Sequence, residues 1–126
     1  MTASASDPLR FTGEVFSWYI QALEAVPNPM TDVEYRETLR RALTPALFEA
    51  WPTLCERDNR DPLLCAQDYF PDWRQKMRAS TLRAGDGRML VALELGPPPK
   101  SGHRLHVDLV AAAEGWRIDG VERDRR

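Results

Sequence analysis

Apolar residues recur at steps of three and four from Asp7 onward: Phe11, Val15, Trp18, Tyr19, Ala22, Leu23 and Val26. That spacing places them on one face of a helix. Ser6 or Asp7 can cap its start, and Pro8 suits the first turn. Pro27-Asn28-Pro29 ends it, because a proline has no N–H to continue the ladder. Thr31 or Asp32 opens a second helix through Tyr35, Leu39 and Leu43. Thr44-Pro45 opens a third, with Leu47, Phe48 and Trp51 on its apolar side. The pattern changes after Pro52. Residues 56–73 hold four aspartates and two prolines among mixed apolar groups, which predicts a long structured loop.

In the second half the period falls to two. Lys76 to Leu82 is a weak strand candidate, whereas Met89, Val91, Leu93 and Leu95 alternate cleanly across Arg88 to Leu95. Ala84-Gly85-Asp86-Gly87 between them supplies the residues of a tight hairpin turn. Gly96 to Gly102 carries Pro97, Pro98 and Pro99 and reads as a second turn. Arg104 to Val110 alternates Leu105, Val107 and Leu109 against His106 and Asp108. Glu114-Gly115 then turns into Trp116 to Asp119, followed by Val121. Helices followed by antiparallel strands is an α+β order: N-terminal helices packed on a four-stranded sheet.

At 126 residues the chain suits one domain, with residues 1–6 flexible and Glu122 to Arg126 a charged, solvated tail. Seventeen basic and nineteen acidic residues give a formal charge of −2. Residues 1–63 carry six basic and ten acidic groups, and residues 64–126 carry eleven and nine. Neither half has the strongly basic balance of a nucleic-acid binder. No apolar run approaches the roughly 20 residues that span a bilayer. The opening residues have neither a basic n-region nor an apolar h-region, which fits a cytoplasmic protein or a periplasmic one whose signal peptide has been removed. Cys55 and Cys65 leave two readings open: a disulfide closing a short loop, or two small buried thiols.

The order of elements resembles the cystatin-like cone of the nuclear-transport-factor-like superfamily. A closer resemblance, to an uncharacterised bacterial family, sits in Ala66-Gln67-Asp68 before Trp73, in Phe16-x-Trp18-Tyr19, and in the late Gly115-Trp116-Arg117-Ile118-Asp119. It implies a helix-then-sheet fold, often in exported proteins. Such cones host enzymes, carriers and protein binders alike, so the fold does not choose among them.

Candidate chemistry concentrates in the loop. Asp61, Gln67, Asp68, Tyr69, Asp72, Trp73 and Arg74 combine charge with aromatic groups of the kind that dominate interfaces. The plainer alternative has Asp68 capping amides, Gln67 satisfying loop backbone and Trp73 plugging the end of the core. His106 and Asp108 share a strand face, and with His103 they invite an acid–base or metal hypothesis. Leu105, Val107 and Leu109 look like the inward side, however, so a solvated outer face is expected. No metal or cofactor is expected, because neither paired ligand spacing nor a phosphate-cradling glycine loop is present, and no nucleophile motif appears.

The expectation is a non-enzymatic protein-binding module, monomeric or homodimeric. A bacterial immunity protein that occludes a secreted toxin is one case, with Glu56, Asp58, Asp61, Asp68 and Asp72 as its acidic face. The alternative is a small-molecule binder or enzyme using a pocket inside the cone.

Overall fold

The computed structural model describes residues 7–58, 61–66, 71–96 and 103–124. Three helices, α1 (Pro8–Ala25), α2 (Val33–Ala42) and α3 (Pro45–Asp58), precede four strands, β1 (Met77–Gly85), β2 (Arg88–Leu95), β3 (His103–Ala112) and β4 (Gly115–Arg123). The strands form one antiparallel meander in the order β1-β2-β3-β4. The α+β architecture expected from the sequence is therefore the one observed.

Asp7 caps α1, its Oδ1 accepting from the amides of Leu9 and Arg10 at 3.1 and 3.2 Å. Asp32 does the same for α2. Phe11, Val15, Phe16, Tyr19 and Ile20 of α1 are each no more than 2% exposed. They pack with Val91, Leu93 and Leu95 of β2 and Leu105, Val107 and Leu109 of β3 in a single core. Burial of side chains this size stabilises by roughly 1.5–3 kcal/mol each. Helix α1 lies against β1 and β2, while α2 and α3 pack on β4. The interior is thus filled by α1, with Trp18, Phe48 and Trp116 half-buried around it.

Two expectations are corrected. Helix α3 does not stop near Pro52 but runs through it to Asp58. One proline removes one ladder bond, and Leu54 and Cys55 beyond it pack on the core. The charged tail is not all tail, since β4 continues to Arg123 and the Asp124 amide donates to the Arg104 carbonyl at 2.9 Å. Of the two readings left open for the cysteines, the structure has Cys55 and Cys65 as thiols. Cys55 sits on α3 against the core, and the Cys65 thiol faces the carbonyls of Pro62 and Val121 at 3.9 and 3.6 Å. Cys65 also takes φ +52°, a left-handed turn conformation that sets the direction in which its side chain leaves the backbone. Gly87 at φ +69° makes the β1–β2 turn, as the Asp86-Gly87 pair predicts.

Candidate functional site

Among the described residues, the loop positions singled out by the sequence (Asp61, Asp72, Trp73 and Arg74) differ in exposure. Asp61 faces inward: Oδ2 accepts from the Tyr19 hydroxyl of α1, and Oδ1 accepts from the amides of Leu63 and Leu64 at 2.8 and 3.0 Å. Its backbone accepts from Cys65 N–H at 2.8 Å and donates to the Ala66 carbonyl at 3.0 Å. Asp61 therefore ties a tight loop to α1. Burial lifts its carboxyl above the usual carboxylate range, against the hydrogen bonds from Tyr19, Leu64 and Leu63, which lower it. Burial, and then the neighbouring Asp61 charge, push the Tyr19 phenol far upward. Cys65 and Leu64 complete the loop's inner side.

Trp73 likewise belongs to the interior at 3% exposed, stacked on the His103 ring at 5.0 Å and 4°. His103 Nε2 lies 2.6 Å from the Leu64 carbonyl. The plug role considered for Trp73 fits this packing, and its partner His103 is the first residue of β3, beside the turn. Asp72 and Arg74 are the exposed members. They sit on the short 3-10 helix Pro71–Arg74, with Arg74 reaching Ser17 Oγ at 3.4 Å and Gln21 Oε1 at 3.3 Å on α1. Gln67, Asp68 and Tyr69 lie outside the described residues, as does the surface of Glu56 and Asp58.

The sheet face away from the core carries a second constellation that spacing only half disclosed. His106 and Asp108 do point outward, but into ion pairs. Arg88 NH2 lies 3.4 Å from Asp108 and 2.7 Å from Asp119, on two neighbouring strands. Asp119 also accepts from the Thr44 hydroxyl at 2.8 Å, joining this face to the start of α3. Asp124 lies 3.4 Å from His106 and 3.1 Å from Arg104, and Glu94 stands between Arg104 and Arg78. Arg88 and Arg78 are more than half exposed, so each pair adds little stability and serves to fix the pattern of charge.

A groove of about 860 Å³ opens between α3 and this face. Ala46, Ala50 and Leu54 line its helical side, Pro62 the loop beside it, and Arg83, Arg88, Leu90, His106, Asp108, Asp119 and Glu122 its sheet side. It is an open flank, distinct from the interior in which the alternative reading places a pocket. Among the described residues no group of three or more His, Cys, Asp or Glu side chains could hold a metal ion, and no helix is long and apolar enough to cross a membrane.

No family model matches the chain, and no curated protein matches it in sequence. Solved structures do match in shape. A chain of the type VI native effector–immunity complex Tae3-Tai3 from Ralstonia pickettii aligns with a TM-score of 0.71 at 17% identity, covering 89% of this chain and 90% of that one. The selenomethionine form of the same complex gives 0.69 at 17% identity over 90% and 93%. A protein of unknown function from Bacteroides thetaiotaomicron gives 0.60 at 19% identity over 88% and 85%. At such identities the likeness establishes a shared fold.

Proposed function

We propose that this protein is a bacterial immunity protein, which binds a secreted toxin and neutralises it by occlusion. The observation that carries the reading is the near full-length match in fold to a chain of an effector–immunity complex. The surface is compatible with it. An inhibitor needs a preorganised face more than a reactive centre, and the outer sheet face holds its charges in fixed pairs. Asp72 and Arg74, beside α1, are the loop residues proposed to touch the partner, joined by Gln67, Asp68 and Tyr69. Charges placed this way raise association rates and select the partner. Periplasmic residence is part of the proposal and is checked by fractionating native cells.

The test is pull-down of the tagged protein from its native host, combined with rescue of cells expressing any candidate toxin encoded by a neighbouring gene. A stoichiometric partner and survival support the proposal; recovery of no partner and no rescue overturn it.

One observation favours a second reading, a small-molecule site: the groove beside α3 is large enough and polar enough. Against it, Arg88, Asp108, Asp119 and His106 are already committed to one another or to Asp124, leaving few groups to converge on a ligand. A ligand-observed NMR screen in which metabolites bind competitively at the groove would favour this reading over inhibition.

A further inference from the structure

The two edges of the sheet are treated differently. The outer edge of β4 is closed by the chain itself, where the Thr44 amide donates to the Ile118 carbonyl at 2.9 Å and Leu43 bridges Ile118 in parallel. β1 is the opposite edge, and among the described residues no backbone hydrogen bond reaches its outer side. The phase of the ladder follows from the Gly96 amide donating to the Lys76 carbonyl at 2.8 Å. Arg78 and Ser80, two and four residues on, turn their backbone groups towards β2. Met77, Ala79 and Thr81 turn theirs outward. At Leu82 the register shifts, and this bulged leucine is 44% exposed.

The charge along this edge is of one sign. Lys76, Arg78 and Arg83 are exposed, and β1 itself contains no acidic residue. Arg78 pairs with Glu94 of β2, but among the described residues Lys76 and Arg83 have no carboxylate within ion-pair distance. Two copies of β1 paired antiparallel would set these cations against each other, which disfavours self-association through this edge. The same charges suit a strand of opposite sign.

We propose that the outer edge of β1, from Met77 to Thr81, docks an extended carboxylate-bearing segment of a protein partner, which adds as a further antiparallel or parallel strand. Main-chain hydrogen bonds to Met77, Ala79 and Thr81 hold the segment, Lys76 and Arg83 select its carboxylates, and Leu82 supplies an apolar contact at its end. For the partner being a toxin, this rests on the immunity reading; the edge chemistry does not.

The test uses two fluorescein-labelled nine-residue peptides, one alternating Glu with Val and one alternating Lys with Val, titrated into the whole protein by anisotropy. The Glu peptide is expected to bind at least tenfold more tightly and to slow amide exchange at Met77, Ala79 and Thr81. Thr81→Pro removes one outward N–H without touching the ladder to β2, and is expected to weaken binding at least tenfold. Arg83→Glu, at an exposed position, keeps the question answerable if the proline variant fails to fold, and is expected to shift preference towards the Lys peptide. Equal affinity for both peptides, no binding at millimolar concentration, protection elsewhere in the molecule, or a dimer formed through β1 in ultracentrifugation each overturn the proposal. In the toxin-rescue assay, failure of the wild type removes the immunity reading alone. Full protection by Arg83→Glu removes the docking edge as the toxin's site.

Discussion

Replacing Asp61 by alanine removes the group that ties the 61–66 loop to α1. The Tyr19 hydroxyl, in a residue 2% exposed, loses its acceptor, which costs about 2 kcal/mol for a buried donor. The amides of Leu63 and Leu64 lose a side-chain cap of the kind worth about 1 kcal/mol apiece. Relief from burying the carboxyl returns about 1 kcal/mol. The net loss is about 3 kcal/mol. With about 2.1 cal/mol/K of unfolding entropy per residue, a 126-residue chain melts about 11 °C lower. Differential scanning calorimetry with a matched urea titration measures both quantities. A change below about 1 kcal/mol would refute the view that Asp61 organises this loop, and would return it to the list of surface residues.

Because the folded protein lifts the Asp61 carboxyl above its unfolded value, the native state holds that proton more tightly. Stability owed to Asp61 is therefore full below about pH 4 and declines as pH rises through the folded pKa. The difference in urea midpoint between wild type and Asp61→Asn should shift in that direction; a flat difference contradicts it. Trp73→Ala should cost about 3–5 kcal/mol by chemical denaturation, as expected for a buried tryptophan stacked on His103, while the neighbouring Arg74→Ala stays within about 0.5 kcal/mol. Two thiols should react with Ellman's reagent in protein unfolded without reductant, and one disulfide's worth of missing thiol would contradict the structure. Arg88→Met should change stability by less than about 1 kcal/mol and lose its effect in high salt, because the guanidinium is 53% exposed.

The elements with one wet and one dry side were legible in the sequence. Helix α1 and strands β2 and β3 each bury one face, so Phe11 to Ile20 and Val91 to Leu109 carry the period directly. Strand β1 was faint because it is an edge: most of its residues are exposed on both faces, and exposure leaves no alternation to read. The end of α3 was misplaced because Pro52 is a strong local breaker that tertiary packing of Leu54 and Cys55 overrides. The partners of Asp61 and His103 were hidden for another reason. Each residue is explained by a partner remote in sequence, Tyr19 for one and the Leu64 carbonyl for the other, and no local pattern encodes such a meeting. The Arg88–Asp108–Asp119 cluster was half visible, since alternation turned Asp108 outward but could not bring Asp119 beside it.

The central claim, that this fold acts by binding a toxin stoichiometrically, is tested most directly by titrating the protein into a fixed amount of any candidate toxin that a neighbouring gene encodes and following the toxin's activity. The account predicts a linear fall to zero at one equivalent, with no turnover by the protein itself. Undiminished toxin activity at a large excess, or loss that grows with time at substoichiometric amounts as an enzyme would cause, would contradict it.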